Sequence, residues 1–156
     1  MLFLPNTFFG EVIRDGKVIN RLKGHNLVTT EGKNHVLDVV FGGTAKTAPW
    51  YIGLVDNSPI PAFSADDTLA SHAGWAIASD VSTERLEWVD ADAASGSKGT
   101  TTTASFSITG NFTVAGLFIA NVSSGTSGVL FNAGAFDATQ DLISGETFRV
   151  GFTINA

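Results

Sequence analysis

Phe148, Val150, Phe152 and Ile154 occupy every second position of one run, with Thr147, Arg149, Gly151 and Thr153 between them. A period of two marks a strand with one face on a core and the other in water. One-sided strands belong to antiparallel sheets, because parallel strands are covered on both faces. Upstream, β-prone runs recur over residues 101–109, 112–121 and 128–133. Turn chemistry separates them at Gly110-Asn111, Ser123-Ser124-Gly125 and Ser144-Gly145. This spacing predicts a mostly β chain, built as an antiparallel β-sandwich or jelly roll.

The first half adds a hairpin and a helix. Asp15-Gly16 lies between the runs 8–14 and 17–23, a two-residue turn in which Gly accepts positive φ without steric cost. Thr29 or Thr30 then caps one short helix over about residues 30–41, with Glu31 in its first turn and Gly42-Gly43 at its end. Val36 and Val40, with Leu37 and Phe41, are expected to dock it on the sheet at i, i+4 spacing. Trp50 to Val55 reads as a buried strand. Pro59 and Pro61 exclude a continuing strand, and residues 63–82 read as a long irregular loop with one helical turn near Leu69, capped by Asp66 or Asp67. Such loops usually carry function or a contact. Arg85 to Val89 reads as a short strand and residues 90–98 as a turn.

At 156 residues the chain fits a single β-rich domain (1–156) able to bury a large core without staples. An extended N-terminal arm is expected over about residues 1–7. There is no Cys, so disulfides, thiolate metal sites and Cys nucleophiles are excluded. A net charge of −6 with no basic run argues against a nucleic-acid partner, which needs cations to displace counterions. Met1-Leu-Phe-Leu-Pro5 has neither the basic start nor the apolar length of a signal peptide, and no run reaches the roughly 20 residues that span a bilayer. The expectation is a soluble protein, made in the cytoplasm, with no membrane partner. Charged residues are only 15% of the chain, against the usual quarter, which suggests a surface partly covered by partners.

No constellation for chemistry emerges. Asp90-Ala-Asp92 opens like a calcium loop, but Ala94, Ser95 and Thr101 stand where that loop needs a ligand, Gly and Glu. His25, His35 and His72 lack metal-ligand spacing, and Gly125-Thr-Ser-Gly128 is not a nucleophile elbow. Asp66 and Asp67, adjacent in sequence, fit a cap better than an acid–base pair. No cofactor, metal or catalytic residue is expected.

The run Asn26-Leu-Val-Thr-Thr-Glu-Gly-Lys-Asn-His-Val-Leu-Asp-Val-Val-Phe41, followed by Trp50-Tyr-Ile-Gly-Leu-Val-Asp56, resembles a group of small virion proteins of tailed bacteriophages. Ser144-Gly-Glu-Thr-Phe-Arg-Val150 resembles the last strand of many phage structural proteins. The resemblance implies a non-enzymatic capsid cement or decoration protein on the virion surface, with the major capsid protein as partner and itself as a dimer or trimer. A tail, head-fibre or adaptor protein is the alternative. A third reading is a carbohydrate-binding β-sandwich, with Trp50, Tyr51, Trp75 and Trp88 as stacking faces. The expected contact residues are Leu2, Phe3, Leu4, Phe8 and Phe9 in and after the arm, and Ile60, Phe63 and Trp75 in the Pro-rich loop.

Overall fold

The computed structural model describes residues 6–155. Strands β1 (Asn6–Arg14) and β2 (Lys17–Val28) form the expected hairpin, with Asp15 and Gly16 both at positive φ. Helix α1 (Thr30–Phe41) follows, then β3 (Tyr51–Asp56), β4 (Ala76–Ile77), β5 (Arg85–Glu87) and β6 (Val89–Asp90). The remaining strands are β7 (Ser97–Thr102), β8 (Ala104–Ser107), β9 (Phe112–Ala120), β10 (Leu130–Leu142) and β11 (Thr147–Asn155). Of the arm expected over residues 1–7, Asn6 and Thr7 are part of the sheet, paired with Asn26 and His25; residues 1–5 lie outside the described residues.

All the strand pairings among the described residues are antiparallel, in the order β4-β3-β9-β10-β2-β1-β11-β7-β6, with β5 also on β3 and β8 on β11. The sheet curls so that β1, β11 and the start of β2 face β3, β9 and β10. The Ser82 amide donates to the Ser107 carbonyl and the Thr109 amide to the Asp80 carbonyl, which sets Val81 opposite Ile108 and joins the segment after β4 to β8. The mostly β, sandwich-like architecture is therefore the one the alternation calls for. Its inner face is the predicted one: Phe148, Val150 and Phe152 are buried beside Phe8, Val12, Leu22 and Phe106.

Phe and Gly, which make up twelve and seventeen of the residues, are matched across strands. Phe8 stands opposite Gly24, Phe118 opposite Gly53 and Phe9 opposite Gly151. In each pair the ring lies where a glycine Cβ would be, within 2.3 to 2.4 Å of that position. Glycine weakens a strand by leaving a gap and a freer backbone; here a neighbouring ring fills the gap, a known remedy for sheet glycines.

Strand β9 is buried from Val114 to Ala120 with no alternation. The cause is the loop after β3, which returns across the outer face of β3 and β9 and builds a second core. Trp75, Leu69 and Val55 pack there with Phe118 and Leu130, and Phe63 lies against the edge. The Trp75 ring sits 5.3 Å from Phe118, with His72 stacked on it at 4.1 Å. Asp67 Oδ2 accepts both the Trp75 indole N–H (3.0 Å) and the Ser64 amide (2.9 Å). Asp66 and Asp67 thus cap no helical turn: Asp67 fastens the loop to its own Trp, and residues 66–69 contain no helix.

The helix has the predicted bounds and cap, with the Thr29 hydroxyl accepting from the Gly32 amide at 2.9 Å. Its docking face is different from the expected one. Leu37, Val40 and Phe41 are exposed, Phe41 at 82%, and only Val36 of the four packs on the core. The close approach is at Gly32, where an added Cβ would lie 2.4 Å from the Phe131 carbonyl. Polar bonds steer it there. The Thr29 hydroxyl donates to the Leu130 carbonyl, and Glu31 Oε2 accepts from the Leu130 amide at 2.8 Å. These bonds satisfy backbone groups that lie beyond the ladder at the start of β10. They fix the first turn of α1, so the apolar residues of its last turn point away.

Candidate functional site

The outward positions of β1, β2 and β11 form an open face. Across it run Arg21, Lys23 and His25 on β2, Thr7, Phe9 and Glu11 on β1, and Arg149, Gly151 and Thr153 on β11. Glu11 is the one carboxylate at these positions, in a chain whose acids outnumber its bases by 15 to 9. Phe9 sits near the middle, lying over Gly151 and 38% exposed. The face is ordered from below, because each residue alternates with a buried one on the same strand.

Charge on this face is arranged around Glu11. Its Oε2 accepts from Arg149 Nε at 2.9 Å and from Arg149 Nη2, while its Oε1 accepts from Arg21 Nε at 3.0 Å. Two cations on one carboxylate leave a positive surplus, and Arg21 remains 71% exposed. The hydrogen bond from Arg149 holds the Glu11 carboxyl below its ordinary value of 4.5; burial opposes this and Arg21 adds to it. A depressed folded-state value means that Glu11 stabilises the fold fully above its unfolded value. That contribution is lost as pH falls through the lower, folded value. Glu11→Gln should therefore flatten the acid limb of stability against pH below about 4.5, read by urea denaturation at a series of pH values. Identical slopes for both proteins would rule the linkage out.

The other expected contact residues divide sharply. Ile60 is 80% exposed at the tip of the Pro-rich loop. Phe8 and Trp75 are buried, at 3% each, and are corrected from contact residues to core residues. Phe63 is half-buried, 5.8 Å from the Trp75 ring. The loop's aromatics thus serve the second core of their own chain. Leu2, Phe3 and Leu4 lie outside the described residues. Lys23, Arg21 and Arg149 were not singled out in the sequence, although their even spacing with the buried residues of β2 and β11 carried the signal.

At the end of the sandwich near α1, a cavity of about 440 Å³ opens beside Trp50, Trp88 and Phe131. Trp50 meets Phe131 edge-on at 5.8 Å and His35 at 5.6 Å. His35 Nε2 lies 2.7 Å from the Thr47 hydroxyl, which ties α1 to the segment that lines the cavity. Among the described residues no group of three His, Asp or Glu side chains is placed to hold a metal. No helix among them is long and apolar enough to cross a membrane. The chain matches no family model and no curated protein sequence.

Proposed function

We propose that this chain is a structural protein of a tailed-phage virion, cementing or decorating the capsid by binding the lattice of major capsid protein. The resemblance of residues 26–41 and 50–56 to phage virion proteins supports the class. The observation that carries the reading is the outward face of β1, β2 and β11. Phe9 is 38% exposed there at the centre of a basic surface on a protein of net negative charge. Protein interfaces are enriched in aromatic residues and Arg, which bury large area while keeping directed hydrogen bonds. A positive patch meeting a negative capsid surface also orients the encounter. Ile60 and the apolar last turn of α1 offer further contact area, and closed self-association as a dimer or trimer belongs to the same reading.

The test is reconstitution. Purified protein is added to particles that lack it, and bound copies are counted after sedimentation. The expected result is hundreds of copies per particle for the native chain. Phe9→Ala combined with Arg21→Glu should reduce binding at least about tenfold, with an unchanged circular dichroism spectrum. Undiminished binding by that variant would remove the face from the interface. A handful of copies at one vertex would assign the protein to the tail, head fibre or an adaptor.

A further inference from the structure

The end of the sandwich near α1 carries both a hollow and a projection. The hollow is the cavity of about 440 Å³, lined by Val36, Trp50 and Ile154, apolar side chains only partly covered by their own chain. Ile119 and Phe131, both buried, line it more deeply. The projection is the last turn of α1. Leu37 and Val40 are exposed there, and Phe41 stands 82% in water. Val40 follows Val36 by four residues, so it lies on the same stripe of the helix, one turn beyond the cavity wall. Leu37 and Phe41 occupy the neighbouring stripe, and hollow and projection form one continuous apolar surface.

The charges around this surface are complementary to one another and unpaired. Lys46 is an exposed residue of the cavity lining. Asp38 is exposed on the helix flank next to Phe41, three residues before it. Among the described residues neither has an ion-pair partner. The last turn of α1 holds no basic residue, so the negative end of the helix dipole has no cation within its own turn.

We infer that α1 is the contact of a two-fold dimer, in which Phe41 of each copy enters the cavity of the other. A second copy supplies what this surface lacks. It brings an aromatic ring, for which the cavity has room, since apolar cavities of about 150 Å³ already admit benzene. It brings Lys46 to Asp38 and to the open end of the helix, and does so twice. Projection and hollow lie a turn apart on one patch, and a two-fold axis between them engages both copies at once. A head-to-tail ring places them on different sides of the molecule. An aromatic side chain covers roughly 150–250 Å². With Val40, Leu37 and the facing cavity walls, two copies bury on the order of 1,000 Å², the threshold of a specific interface. The proposal rests on the virion reading for self-association alone, and its test needs no capsid.

The experiment follows the full chain by sedimentation equilibrium from nanomolar to millimolar concentration. In the upper part of that range, ¹⁵N-correlated NMR spectra follow the indole N–H signals of the three Trp residues. Dimers should form, and the Trp50 signal should move with association. Trp75, whose indole is bound to Asp67 in the second core, should stay in place. Phe41→Asp should raise the dissociation constant at least about tenfold and leave the circular dichroism spectrum unchanged, because the side chain is exposed. Lys46→Glu and Asp38→Lys should each weaken the dimer, and the two together should restore it in part. The face variant, Phe9→Ala with Arg21→Glu, should dimerise as the native chain does, so that capsid binding and dimerisation are read apart. The inference is overturned by a chain that stays monomeric to millimolar concentration, by a trimer, or by a dimer whose formation leaves Trp50 in place. Native affinity in Phe41→Asp, or no recovery in the charge exchange, overturns it equally. A dimer lost in the face variant does so too, by moving the contact to the sheet.

Discussion

Gly53→Val is expected to destabilise the fold by about 3 kcal/mol, at the upper end of the cost of overpacking a core. In thermal denaturation this corresponds to a fall in Tm of roughly 10 °C for a domain of this size. The Cβ of the new side chain would stand 2.3 Å from two atoms of the Phe118 ring. Phe118 has no free space to move into. It is fully buried, with Trp75 at 5.3 Å and the Arg85 guanidinium carbon at 5.3 Å from its ring centre. The ring must leave its rotamer or β3 must part from β9, and either response disturbs both cores at once. A double variant separates this cause from general strand disruption. Gly53→Val with Phe118→Leu should recover at least about 1 kcal/mol relative to the sum of the two single changes, since residues in contact couple. Strict additivity would show that the ring is not what excludes the side chain.

Arg85→Met is expected to cost about 2–3 kcal/mol and to loosen the loop between β9 and β10. Arg85 is buried, and its guanidinium donates to the Val122 carbonyl at 3.1 Å and the Gly125 carbonyl at 2.9 Å while covering Phe118. Burial draws its pKa below the ordinary arginine value and Glu84 pushes it back; an arginine so placed keeps its charge. Met fills a similar length but leaves two carbonyls without a donor, each a cost on the scale of a lost hydrogen bond to a charged group. Arg85→Lys should recover little, because an ammonium does not fork to two carbonyls as the planar guanidinium does. Glu84→Gln should stay within about 0.5 kcal/mol, since Glu84 is 43% exposed and such pairs contribute little. Amide exchange should rise over residues 122–128 in Arg85→Met and stay unchanged in Glu84→Gln. Native-like exchange in Arg85→Lys would reject the fork as the fastening.

Much of this architecture was legible from local pattern. The alternation of β11, the Asp15-Gly16 turn and the Thr29 cap are each decided by neighbours in sequence, and each stands where the residues place it. What was not legible depends on partners far along the chain. The docking of α1 is set by Thr29 and Glu31 bonding to Leu130, so the apolar spacing of Val36, Val40 and Phe41 pointed to the wrong face. The run read as a strand over 85–89 divides into β5 and β6, with Trp88 between them turned inward. Strand β10 continues to Leu142 through Asp137-Ala-Thr-Gln140, where its register with β9 shifts and no alternation marks it. For the candidate site, Phe9 and Ile60 were readable as apolar residues suited to contact. Phe8 and Trp75 looked equally suited, because exposure is a property of the assembled sheet. The buried Asn6 and Asn132 carry no signal in sequence, since nothing local distinguishes an inward Asn from one in a turn.

The pairing of β1 with β11 has a consequence for how the chain comes into being. Phe9 pairs with Gly151 and Val12 with Phe148, so two strands more than a hundred residues apart in sequence lie side by side. During synthesis β1 can zip to β2 early, but its other edge stays unpaired until β11 has been made. Closure over such a sequence distance is slow, because the loop entropy is lost before the contact forms. The hairpin therefore passes through a vulnerable interval in every round of translation, with an open strand edge that closes only when β11 slides in beside β1.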